Sequence, residues 1–177
     1  MATGKLKLLD EYFGQVYGLP CWESSTEFTC WLTLRFGQPT IVVRDGNLES
    51  DSERGRRRRV SVRGDFQLFF ELGQWVYCEN GQEQFHAGQS REDFSRFAQR
   101  LQSQCLTRVR LGEQPAGTVF EFDLGGHLLV WPAADAEDND LLWEFSVRNR
   151  HLRMHCNGEL DTWSSKVPGE GDVDAKC

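Results

Sequence analysis

The sequence predicts an α+β protein, mostly antiparallel β, arranged as a sandwich or partly open barrel with one central amphipathic helix. Three observations carry this. Short runs such as WLTLRF at 31–36 and TVFEF at 118–122 alternate with period two. Gly, Pro and Asn-Gly signals separate them. One stretch, 90–105, has strong helical periodicity: Phe94, Phe97, Ala98, Leu101 and Cys105 form one apolar stripe. Ser90 is its predicted N-cap, with Glu92 and Asp93 in the first turn, where the helix dipole favours acids.

In chain order, Leu6, Leu8, Leu9 and Phe13 suggest a short helix. Residues 15–19 read as a first strand stopped by Pro20, and the polar residues 21–28 as a loop. Residues 31–36 and 40–43 read as a hairpin turned at Gly37-Gln38-Pro39. Residues 44–59 break the pattern and read as a mobile surface loop, followed by a strand from Val60 to Arg63. Residues 66–71 and 74–78 read as another hairpin, turned at Leu72-Gly73 and closed by Asn80-Gly81.

After the helix, 106–111 reads as a strand. The stretch 118–132, TVFEFDLGGHLLVWP, folds back at Gly125-Gly126, with Phe120, Phe122 and Leu124 expected toward the core. An acidic loop spans 133–140, carrying Asp135, Glu137, Asp138 and Asp140. The last hairpin pairs 141–147 with 151–155 and ends at Asn157-Gly158. The tail 166–177, KVPGEGDVDAKC, lacks apolar residues for packing and is expected to be disordered. The expected organisation is thus a single β-rich domain over 1–165.

A pseudo-repeat is a further expectation. Laying 31–43 on 119–131 matches Gly37 with Gly125 and Val42 with Val130; laying 66–81 on 143–158 matches Asn80-Gly81 with Asn157-Gly158. The halves would be 15–82 and 106–160, joined by the helix. Two unrelated meanders would share the same alternation.

Composition narrows the function. The formal net charge is −7, which disfavours general nucleic-acid binding because phosphates demand a basic footprint. The start, MATGKLKLLDEYF, has no signal-peptide core, and no run approaches a membrane span. Cysteines 21, 30, 78, 105, 156 and 177 are therefore read as reduced thiols of a cytoplasmic protein, those at 21, 30, 78 and 105 as buried ones. His151 and His155 sit four apart on a strand, a spacing that does not favour a shared metal. No cofactor motif occurs. Glu121 and Asp123, with Glu71, are the carboxylates a hydrolase would use, and Arg35 is a candidate ion-pair partner for them.

The candidate binding residues are Arg54, Arg56, Arg57, Arg58, Arg59 and Arg63, which suit a carboxylate-rich protein surface or phosphate. Aromatic interleaving, expected of single-strand binders, is absent from the run. The reading is a non-enzymatic binding or accessory protein, of the immunity type that pairs with a bacterial toxin. A nucleic-acid-associated protein using the same loop and an unrecognised hydrolase are the alternatives.

Arg63-Gly64-Asp65-Phe66 and Phe122-Asp123-Leu124-Gly125-Gly126, in this order around the helix, carry a resemblance. Over roughly 16–160 the chain resembles a family of small uncharacterised bacterial proteins with an RG[DE][WF]xL strand and an FDLGG strand. That family has no established activity, so the resemblance implies no catalytic residue.

Overall fold

The computed structural model describes residues 2–164, apart from 28–30, 48, 50 and 72. In chain order α1 (Ala2–Phe13) is followed by β1 (Glu23–Glu27), β2 (Trp31–Phe36), β3 (Thr40–Arg44), α2 (Glu53–Arg56) and β4 (Arg59–Arg63). Next come β5 (Phe66–Glu71), β6 (Gln74–Glu79), β7 (Gln82–His86) and α3 (Arg91–Leu101). The described residues continue with β8 (Leu106–Leu111), β9 (Thr118–Phe122), β10 (Gly126–Trp131), β11 (Leu141–Val147), β12 (Arg150–His155) and β13 (Leu160–Ser164).

The strands form a six-stranded sheet, β1-β2-β5-β11-β12-β13, a five-stranded sheet, β7-β6-β10-β9-β8, and a separate ribbon, β3-β4. The pairings are antiparallel. The protein is therefore α+β and mostly antiparallel, and none of the three sheets closes into a barrel.

The two large sheets share one core. Leu32, Leu34, Leu68, Phe70, Phe145 and Leu152 are buried from the first; Trp75, Tyr77, Phe120, Leu128 and Val130 from the second. Phe120 meets Phe70 edge-on at 4.9 Å and Trp143 at 5.8 Å. Phe13 brings α1 into the same cluster, stacked on Phe145 at 4.3 Å. The α3 stripe covers the β6 side: Phe97 stacks on Trp75 at 4.5 Å, and Ser24 of β1 donates to the Ala98 carbonyl at 2.7 Å. Ser90 caps α3, accepting from the Asp93 N–H.

Several sequence expectations are corrected. Residues 15–19 are not a strand. Val16 and Tyr17 donate back to the Phe13 carbonyl in turns that prolong α1, and only Pro20 makes a bridge, to Cys105. Residues 23–27 are a strand: β1 is polar because it is a half-exposed edge. The hairpin expected between 31–36 and 40–43 does not exist, since β2 pairs with β1 and β5 whereas β3 pairs with β4. Nor do 66–71 and 74–78 pair; β5 and β6 lie in different sheets. Leu72, expected in that turn, lies outside the described residues, as do Phe28, Cys30 and the tail 166–177.

The pseudo-repeat fails at the level of pairing. β9 and β10 pair, and so do β11 and β12, but their supposed counterparts do not. Asn80-Gly81, at φ 52 and 78, turns β6 into β7, a strand the sequence reading missed. The segment after Asn157-Gly158 likewise returns as β13. Cys105 lies beyond α3, which ends at Leu101.

Within 118–132 the fold-back is real, with Phe120 opposite Leu128. Gly126 is required because a Cβ there would collide with the Tyr77 hydroxyl. Leu124 is not a core residue. It sits in the turn, 64% exposed. Phe120→Ala should therefore cost about 3–5 kcal/mol of stability, whereas Leu124→Ser should change it by less than about 0.5 kcal/mol; urea denaturation of both variants checks the pair.

Candidate functional site: an arginine arm over a polar cleft

The ribbon β3-β4 stands off the body as an arm. Its extensive contacts are internal, and among β3 and β4 only Val42 is even half-buried. The register pairs Ile41 with Val62, Val43 with Val60, and Arg44 with Arg59. Alternation then sorts the side chains. One face carries Ile41, Val43, Val60 and Val62, exposed at 69, 55, 66 and 42%. The other carries Arg44, Arg59 and Arg63.

The stretch 44–59 is not all loop as expected: Arg44 ends β3, 53–56 form α2 and Arg59 opens β4. Ser52 caps the short α2, and Asn47 donates to the Gly55 carbonyl at 2.9 Å. Arg57 pairs with Glu53, and Arg58 with Asp45 at 2.7 Å. Arg54, Arg56 and Arg63 have no ion-pair partner among the described residues. The structure brings five of the six candidate arginines together: Arg54, Arg57, Arg58, Arg59 and Arg63 line a hollow of about 440 Å³ with Arg44. Arg56 is exposed and outside it.

The arm's root explains the Arg-Gly-Asp segment. A side chain at Gly64 would place its Cβ 2.5 Å from the Phe36 carbonyl oxygen, so the two legs approach there only with glycine. Asp65 accepts from the Gln38 N–H at 3.0 Å and ties the legs together.

Beneath the root lies a cleft of about 460 Å³ on the outer face of the six-stranded sheet. Its floor is Arg35, Gln67, Glu144, Ser146 and His151; its wall is residues 61–65 of the arm's root, with Arg148. Register places Arg35, Gln67, Ser146 and His151 in one row across four strands. His151 is stacked on Trp163 of β13 at 3.9 Å.

Glu144 is the hub of this face. It accepts from Arg153 Nε at 2.6 Å, and its Oε1 lies 2.9 Å from His151 Nδ1 and 3.2 Å from Ser146 Oγ. Burial pushes its carboxyl up, but the hydrogen bonds from Arg153 and His151 outweigh this and hold it below the usual carboxylate range. The ionised carboxylate requires the proton on His151 Nδ1, aimed at it. Ser146 Oγ is 2.9 Å from the same ring nitrogen. A nucleophile–base relay needs serine and acid on opposite imidazole nitrogens, so this trio is a positioning network and not a relay.

The other expected chemistry does not converge. Glu121 pairs with Arg110 at 2.7 Å, and not with Arg35, which pairs with Glu23 at 2.6 Å. Asp123 accepts from the Cys105 N–H at 2.8 Å, while Glu71 lies on the other sheet. Cys21 is buried, and burial pushes its thiol up to about 12; Cys78, Cys105 and Cys156 are half-buried free thiols, so burial of the first two is less complete than expected. Among the described residues no three His, Cys, Asp or Glu groups gather as a metal site, and no helix is long and apolar enough to cross a membrane. The sequence reading named Arg35 and His151 only in other roles and missed Gln67, Glu144, Ser146 and Arg148. A signal existed for part of this: pairing 141–147 with 151–155 sets Ser146 against His151 and Glu144 against Arg153.

Because the Glu144 carboxyl is held low in the fold, its stabilisation is complete above the unfolded carboxylate range and is lost as pH falls through the depressed folded value. Glu144→Gln should cost about 1–2 kcal/mol at neutral pH, and the gap from the parent should close in acid; urea midpoints across pH 7 to 3 measure it. Compared with known protein families, curated proteins and solved structures, the chain matches none.

Proposed function

We propose that this is a binding protein whose arm grips an acidic surface of another protein. The observation that carries the reading is the arm's double face: exposed β-branched residues on one side, arginines on the other. An exposed apolar face rimmed by charge marks an interaction surface. A two-stranded ribbon is marginal alone in water, so a layer laid on Ile41, Val43, Val60 and Val62 would stabilise it.

Charge favours an acidic partner. Residues 40–63 hold seven arginines against Asp45, Glu49, Asp51 and Glu53, on a chain of net charge −7. The arm thus attracts what the body repels, which steers approach and orientation. The apolar face favours protein over nucleic acid, because it offers nothing to a phosphate backbone. An immunity-type or accessory role beside another bacterial protein is the finer form of this reading.

The test uses the full chain as bait, alongside Arg54→Ala/Arg56→Ala/Arg59→Ala and Ile41→Ser/Val60→Ser. A partner should be retained by the parent and lost from both variants, with the second loss insensitive to salt. Unchanged retention in both variants defeats the reading. So does binding of DNA or RNA that weakens steeply as salt rises.

A further inference from the structure

We infer that the cleft beneath the arm is a binding site for a small oxyanion, a carboxylate or phosphate group, held between the guanidinium groups of Arg63 and Arg148. The cleft, about 460 Å³, has the size of a small-ligand site. Of its own carboxylates, Glu144 is engaged by Arg153, His151 and Ser146, while Asp65 accepts the Gln38 N–H and keeps one charge against the two cations that follow. Arg35 is neutralised by Glu23. Arg63 and Arg148 are left, neither with an ion-pair partner among the described residues.

These two cations come from independent elements. Arg63 ends β4, and Arg148 sits in the turn between β11 and β12. Two like charges lining one cleft repel, and an anion between them converts the repulsion to attraction. The guanidinium fork matches either oxyanion in a bidentate way. The Ser61 hydroxyl and Gln67 amide line the same space and make no side-chain hydrogen bond within the described structure, so both can donate.

Arg148 carries a second mark. Its φ is 55°, a conformation that costs a long side chain and suits glycine or asparagine. The turn itself has no need of arginine there. The two-residue loop between Val147 and Arg150 sets that φ, and an arginine kept at such a position with its side chain lining the cleft motivates a role for it there.

The inference is independent of what the arm grips, and the experiment separates the two. Amide resonances of the full chain are followed by NMR during titration with sodium phosphate and, separately, sodium glutarate, with sodium chloride at matched ionic strength as reference. Saturable shifts at residues 61–67 and 146–148 are expected with at least one oxyanion and not with chloride. Response to phosphate alone identifies a phosphate group as the ligand; response to glutarate identifies a carboxylate. Arg148→Gln and Arg63→Gln should each weaken binding about tenfold, the loss of one charge-assisted contact. Ile41→Ser should leave it unchanged. Arg63 lies on the exposed arm, so its variant decides the matter should Arg148→Gln not fold. Shifts equal to those with chloride, or parent-like binding in Arg63→Gln, overturn the inference.

Discussion

Trp143 has to be dry and hydrogen-bonded at once. Its side chain is fully buried, and its indole N–H finds the Thr118 hydroxyl at 3.0 Å. A buried donor left unmade costs about 1–3 kcal/mol, so this bond restricts how β11 lies over β9. Phe120 and Phe13 pack edge-on against it, and Phe145 stacks on Phe13. The consequence reaches the surface. With Trp143 and Phe145 inward, Glu144 and Ser146 must point outward, because side chains alternate along a strand. The same core contact therefore sets the floor of the cleft, and a register slip of one residue would bury Glu144 and expose Trp143.

Local chemistry was legible in the sequence; partnership was not. The α3 stripe, the Ser90 cap and the Gly125-Gly126 fold-back depend on neighbours in sequence, and each was readable there. The hairpin at 141–155 was readable for the same reason. The failures share one cause. Residues 31–36 and 66–71 look like hairpin halves because their alternation is correct, but alternation says nothing about which strand lies alongside. β2 pairs with β5 across the whole excursion of the arm, with Phe36 opposite Phe66. Gly37, read as a hairpin turn, is where the chain leaves the sheet. β1 and β7 were passed over because edge strands carry polar residues on both faces.

The candidate site divides along the same line. Its arginines were visible as a run. Its apolar face was not, because Ile41, Val43, Val60 and Val62 come from segments that read as parts of different elements. The cleft was still less visible, since Arg35, Gln67, Ser146 and His151 become neighbours only when four strands lie side by side.

The arm is the part of the molecule least supported by the rest. Exposed pairs such as Arg58–Asp45 contribute little, and the ribbon has no layer behind it, so its order rests on cross-strand contacts and the clasp at Asp65. Such units open at lower free energy than a core. Yet β4 serves two surfaces at once: Ser61 and Arg63 line the cleft, while Val60 is part of the outer apolar face. Cleft and arm thus share a single strand, and the Gln38 N–H bound by Asp65 ties the arm's two legs together where they leave the sheet.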